Sequence, residues 1–250
     1  AFHDADVLSA IKFIFDRAAA LGLPAVVNLS LGTQLGPHDG TSNLATAISA
    51  FTGPDKPGRI IVASAGNDGG RDIHASGYPR LEGEARVTLE IPDYTPTSAR
   101  ELVHLEIWYN GTLELTLTSP AGKSLGPVPT GKSLEQLTDE GLVKLLNAPS
   151  GPYQGNGRNQ AVLVVDESDG KSPAPGRWTL TARGDAERFD IWLVNPAING
   201  PNGRPRLRGP LDPDIRLSSP GTARGVITVA AYTTRTAWES MAGKIALTYA

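Results

Sequence analysis

Apolar residues recur along the chain in two different rhythms. Between residues 7 and 20, Val7, Leu8, Ile11, Ile14, Phe15 and Ala18 fall at i, i+3, i+4, i+7 spacing, which predicts an amphipathic helix. Asp6 is its candidate N-cap, and Gly22 and Pro24 end it. Ala25 to Gly32 is a nearly continuous apolar run and suits a strand covered on both faces. Leu44, Ala47, Ile48 and Phe51 predict a second helix over 43–52, with Thr41 and Ser42 as its N-caps and Gly53-Pro54 as its stop. A second buried-type strand is expected at 59–65. Helix, strand, helix, strand is the βαβ rhythm of a parallel sheet with right-handed crossovers.

The rhythm changes near residue 81. Val87/Leu89/Ile91, Val103/Leu105/Ile107, Leu113/Leu115/Leu117, Trp178/Leu180/Ala182 and Phe189/Ile191/Leu193 alternate with other residues, the mark of strands with one buried face. Such a series predicts an antiparallel sandwich or jelly roll. Leu134, Leu137, Leu142 and Leu145 predict a helix over 133–146 within it, and the Pro, Gly, Asn and Arg of 195–213 predict a linker. Val226 to Tyr232 returns to the buried-strand type. The expected fold class is therefore α/β, a partial parallel-sheet core over 1–80 and 211–250 interrupted by an antiparallel β-sandwich insert over 81–210.

Composition narrows the function classes. A chain of 250 residues that is 40% hydrophobic can bury a sizeable core, and its formal charge of −3 argues against a nucleic-acid or anionic-membrane partner held by a basic surface. Apolar runs are too short to span a bilayer. Without cysteine there is no thiol nucleophile or thiolate metal site, and the four scattered histidines form no zinc pattern, so no metal or cofactor is expected. The chain starts Ala1-Phe2-His3 and its only methionine is Met241, so it reads as an internal piece of a longer polypeptide.

Two stretches carry candidate chemistry. Ile60 to Gly70 runs from an apolar strand into Gly66-Asn67-Asp68-Gly69, which holds Asn67 at the end of a buried strand. An asparagine so placed serves either as the side-chain donor of an oxyanion hole or as a turn residue. Gly126 to Ser133 fits the Walker A pattern, with Val162 to Glu167 as a Walker B-like strand, and offers nucleotide binding as a rival. Against it, Pro127 and Pro129 each remove a backbone N–H from the phosphate cradle, so a surface loop is expected there. Trp108, Tyr109, Trp178 and Trp192 are either core or a carbohydrate platform, with core favoured by their apolar neighbours.

Three blocks together, Val26 to Gly32, Ile61 to Gly69, and Ser219-Pro220-Gly221 followed by Val226 to Ala231, resemble the subtilisin-like serine proteases in kind and in order, over about 5–80 and 215–240. That resemblance implies a Ser-His-Asp endopeptidase with a polypeptide substrate, Asn67 as oxyanion donor, and Ser30, Leu31, Gly32, Ser64, Ala65 and Gly66 as the two walls of the pocket beside the scissile bond. Small wall residues let an extended peptide pair with backbone N–H and C=O groups. A propeptide is a second candidate partner, and a secreted or cell-envelope location follows from the resemblance alone. The Trp108 to Gly111, Thr118 to Gly122 and Pro175 to Leu180 segments resemble β-sandwich modules attached to subtilases. Their position between oxyanion Asn and nucleophile is similar to the arrangement in clostridial spore-germination subtilases.

Departures from the family are equally clear. His3 lacks a following Gly-Thr-His, His74 comes after Asn67 instead of before it, and Gly40-Thr41-Ser42 precedes Asn67 where the family nucleophile follows it. The triad is expected outside these residues, and the chain alone is expected to be inactive. A non-catalytic binding module on the same scaffold is the alternative.

Overall fold

A computed structural model describes residues 3–96, 100–194, 198, 201, 203–231, 237–240 and 243–246. The first part holds α1 (Asp4–Ala20), β1 (Ala25–Leu29), α2 (Asn43–Ser49) and β2 (Arg59–Ser64). The middle holds β3 (His74–Gly77), α3 (Pro79–Glu82), β4 (Ala85–Ile91), β5 (Leu102–Tyr109), β6 (Leu113–Thr118), β7 (Ser124–Pro129), β8 (Lys132–Thr138), β9 (Gly141–Asn147), β10 (Asn159–Asp166), β11 (Gly176–Gly184), β12 (Phe189–Val194) and β13 (Arg206–Arg208). β14 (Ile227–Val229), β15 (Ala237–Ser240) and β16 (Gly243–Ala246) follow.

The parallel part is small. β1, β2 and β14 form a three-stranded sheet, with Val27 beside Ile61 and Ile227 beside Val62. One face, made by Val27, Leu29, Ile61 and Ala63, is buried under Ile11 and Phe15 of α1 and Leu44, Ala45 and Ile48 of α2. The other face leaves Val26, Ile60, Ile227 and Val229 exposed. α1 starts earlier than predicted. His3 is its N-cap, and Asp6, three residues on, accepts the His3 N–H at 3.2 Å as the return half of a capping box. Tyr232, the last residue of the predicted C-terminal strand, lies outside the described residues.

Most strands are antiparallel and form two sheets, ordered β3-β12-β5-β10-β9-β8 and β13-β4-β11-β6-β7. Their inner faces share one apolar core that includes Tyr109, Leu115, Leu163, Trp178, Phe189 and Ile191. Alternating burial along β4, β6 and β11 matches the predicted period of two. Antiparallel pairing begins before residue 81, because His74 to Gly77 pair with β12.

Three sequence expectations need correction. The helix over 133–146 is a hairpin of β8 and β9. Leu134 faces Leu145 and Leu137 faces Leu142 across it, so a helical spacing arises by coincidence from the hairpin's mirror register. Gly141, at φ 112°, turns the chain between them. The 195–213 linker contains β13, which closes the edge of the five-stranded sheet. Leu207 is buried opposite Leu89, while Arg206 and Arg208 reach Glu90 at 3.2 and 2.6 Å. A three-residue strand is too short to show a period, and residues 195–197, 199, 200 and 202 lie outside the described residues. The Walker A stretch lies on β7 and β8, strands of different sheets joined at Thr130-Gly131, and a strand stands where the motif needs a helix.

The six-stranded sheet turns part of its outer face toward the parallel part, and this contact is polar and aromatic. Buried Glu106 accepts from Gly36 N at 2.8 Å and from Trp108 Nε1 at 3.2 Å. Tyr153 donates to Asn43 Oδ1 at 2.9 Å, and Asn156 donates to Asp39 Oδ2 at 2.9 Å. β12 is buried on both faces, which explains why Asp190 and Trp192 do not read as surface. Trp108, Tyr109, Trp178 and Trp192 are all buried, which rules out an exposed carbohydrate platform.

Asp190, on the same outer face of β12 as Trp192, is the centre of a charge cluster within the antiparallel part. It accepts from Arg158 at 3.0 Å and Arg188 at 2.6 Å and lies 3.3 Å from His74 Nε2. Burial works to raise its pKa, but hydrogen bonds from His74 and Arg188, with the Arg188 charge, hold it down to about 2. A folded pKa below the unfolded value of about 3.9 stabilises the fold above pH ~4, and the gain is lost as pH falls through the folded value. Urea unfolding followed from pH 5 to 2 should therefore lose about 2 kcal/mol more in the wild type than in Asp190→Asn. Equal losses would show that Asp190 is not the group responsible.

Candidate functional site

β1 and β2 are neighbours and parallel, with Leu29 beside Ala63, so the segments that follow them leave the sheet side by side. Ser30, Leu31 and Gly32 follow β1, and Ser64 ends β2 with Ala65 and Gly66 following it. Ser64 Oγ donates to Leu31 O at 3.3 Å and Asn28 Nδ2 to Ser30 Oγ at 3.0 Å. Ser30, Gly32 and Gly66 are exposed, and Leu31, Ser64 and Ala65 are half-buried. The carboxyl ends of parallel strands, where a crossover leaves a crevice, are the usual ligand position in open α/β sheets.

Asn67 follows directly on Gly66, whose φ of 98° turns the chain out of the strand. It is exposed, and its side chain makes no hydrogen bond among the described residues. Its neighbours, by contrast, are held. Asp68 accepts from Gln34 Nε2 at 3.1 Å and Arg71 Nη1 at 2.8 Å, and Gly69 O accepts from Arg216 Nη1 at 2.7 Å. The loop is fixed around an amide that is free to donate.

A third segment closes the crevice. Ser219 exchanges backbone hydrogen bonds with Thr33, both at 2.9 Å, and Ser218 N donates to Ala65 O at 3.0 Å. Ser218 is thereby wedged between the two walls. A Cβ on Gly32 would lie 2.5 Å from Ser218 Oγ, and one on Gly66 would lie 2.9 Å from it, so neither position has room for a side chain. The Ser218 hydroxyl is buried and has no hydrogen-bond partner among the described residues. The sequence reading named Ser219-Pro220-Gly221 for its likeness to a family block but missed Ser218, Gln34 and Arg216. Their roles arise from contacts across 34 residues of chain for Gln34 and more than 140 for Ser218 and Arg216, and leave no local pattern.

Other candidates fall elsewhere. Ser42 caps α2 by accepting Ala45 N–H at 3.2 Å, as expected for an N-cap. His3 caps α1. His74 is buried in β3, with Nδ1 2.8 Å from Asp214 O. His74, Asp190 and Asp212 have ligand atoms within 4.8 Å of one another, a spacing that could hold a metal ion. Arg188 bonds both carboxylates, at 2.6 and 2.8 Å, and supplies the positive charge a cation would bring. His38 lies behind the crevice, with Nδ1 2.9 Å from Leu217 O and Nε2 3.0 Å from Gln34 O. Burial pushes its pKa below the usual value, against the two carbonyls that favour the charged ring.

No protein-family model matches the chain, and no curated protein sequence matches it. Among solved structures it is similar to the CspB protease of Clostridium perfringens, with a TM-score of 0.76 and 26% identity. The match covers 93% of this chain and 47% of that one, so the chain spans about half the length of that protease. Likeness over nearly the whole chain, parallel and antiparallel sheets together, supports kinship with that protease and agrees with the subtilase resemblance of the three blocks.

Proposed function

We propose that this chain is the substrate-binding and charge-stabilising half of a serine endopeptidase of the subtilisin type. The carrying observation is an exposed Asn67 with a free amide, on a braced loop, at the carboxyl end of a strand whose neighbour supplies the opposite wall. In this reading an extended polypeptide lies between Ser30-Leu31-Gly32 and Ser64-Ala65-Gly66, with Ser218 at the base of the pocket. When a nucleophile adds to the scissile carbonyl, negative charge collects on its oxygen, and Asn67 Nδ2–H donates to that oxygen. A donor already in place stabilises the tetrahedral intermediate without reorganisation. The nucleophile, base and orienting acid come from polypeptide outside these residues, and the antiparallel sheets form a jelly-roll-like accessory module.

Asn67→Ala in the full-length polypeptide should lower kcat for a peptide substrate by about 10²–10³ with KM little changed. An unchanged kcat would leave Asn67 a turn residue and remove the proposal. Gly32→Ala should lower kcat/KM and also destabilise the fold by about 1–3 kcal/mol, since the new methyl meets Ser218. Adding Ser218→Gly should recover most of both losses, read by peptide hydrolysis and urea unfolding. A double variant whose losses merely add would show that the two residues do not share the space.

A further inference from the structure

The segment Asp212 to Ser219 leaves the antiparallel sheets and ends in the crevice, and side chains hold its carbonyls along most of that path. His74 Nδ1 lies 3.2 Å from Asp212 O and 2.8 Å from Asp214 O. A carbonyl only accepts, so Nδ1 carries a hydrogen. Trp192 Nε1 donates to Ile215 O at 2.9 Å. Gln34 reaches Arg216 O at 3.5 Å and His38 reaches Leu217 O at 2.9 Å. The next two residues are Ser218 and Ser219, already fixed against Ala65 and Thr33.

The rings that make these bonds are themselves stacked. Trp192 lies between His38, at 4.3 Å, and His74, at 4.5 Å, both at 11° from parallel. His74 and Trp192 belong to paired strands, β3 and β12, while His38 belongs to the loop after β1. One column of three rings thus joins the antiparallel sheet to the pocket wall, and each ring bonds the intervening segment. Ile215 sits at φ 54°, a conformation a β-branched residue adopts only under constraint. Its carbonyl is the one gripped by Trp192. None of the three rings belongs to either apolar core; His74 also reaches Asp190 through Nε2, while Trp192 and His38 do not.

We infer that His74 and Trp192 are positioning residues for the substrate pocket: through the carbonyls of Asp212, Asp214 and Ile215 they set where Ser218 stands between Gly32 and Gly66. The antiparallel sheets thereby take part in side-chain selection without touching the peptide. The pocket itself rests on the peptidase reading; the grip on the segment does not.

Two measurements on the full-length polypeptide separate them. Trp192→Phe keeps a ring in the stack and removes only the N–H to Ile215, and His74→Ala is the second variant, with Trp192→Phe decisive should His74→Ala not fold. Amide hydrogen exchange should quicken roughly tenfold or more at Ser218 and Ser219 in each variant, with the amides of β1 and β2 unchanged. Peptides differing only in the residue that enters the pocket should then show altered kcat/KM ratios, while a glycine at that position gives wild-type kcat/KM. Exchange left at the wild-type rate would overturn the inference, as would faster exchange with unaltered ratios. If the wild type hydrolyses no peptide, the peptidase reading falls, and exchange alone decides whether the two rings hold the segment.

Discussion

Everything at the candidate site depends on one steric fit, the Ser218 side chain between Gly32 and Gly66. Each glycine occupies a place where a Cβ would stand closer to Ser218 than side-chain carbons approach. The fit draws three segments together that are distant in sequence, the ends of β1 and β2 and the strip before β14. Backbone pairing of Thr33 with Ser219 and of Ala65 with Ser218 fixes their register. Asn67 inherits its place from that arrangement, because it follows Gly66 without an intervening residue. A free amide on an exposed turn has directional value only when its backbone is fixed, and Gln34, Arg71 and Arg216 fix it.

The two apolar cores are separate clusters, and what joins them is of another kind. Glu106, Tyr153, Asn156, His38 and Trp192 make the contact where aliphatic residues would give adhesion with less geometric demand. Hydrogen bonds and stacked rings tolerate few alternative arrangements. A contact built from them specifies the orientation of the antiparallel sheets relative to the crevice.

How much of this is legible in the sequence follows from the range of each interaction. The parallel strands, α1 and α2 can be read from local apolar runs, and so can β4, β6 and β11 from alternation. Leu134, Leu137, Leu142 and Leu145 mislead because a tight hairpin places mirror-related residues at spacings that also fit a helix. β13 is too short to have a period. Asp190 and Trp192 look like the solvent side of an alternating strand, and partners distant in sequence make them interior, His38 and His74 stacking on Trp192 and Arg158 and His74 bonding Asp190. The proposed wall residues can be picked out because small residues at strand ends form a local pattern. Ser218, Gln34 and Arg216 are not, because each acquires its role from a partner far along the chain.

The route of the chain into and out of the antiparallel sheets bears on how the protein acquires its structure. β14 joins β2 only after the chain has travelled from Ser64 to Ile227, a connection of high contact order that by itself slows folding. Yet the two ends of that excursion lie together. Leu207 N bonds Asp72 O at 2.8 Å, and Leu211 bridges Ala75. Once the antiparallel sheets have closed, β2 and β14 are linked through a short effective loop, and the entropy of bringing them together is that of the few residues on either side. The inserted sheets thus act in folding as a preassembled connector, and assembly of the crevice waits on their closure.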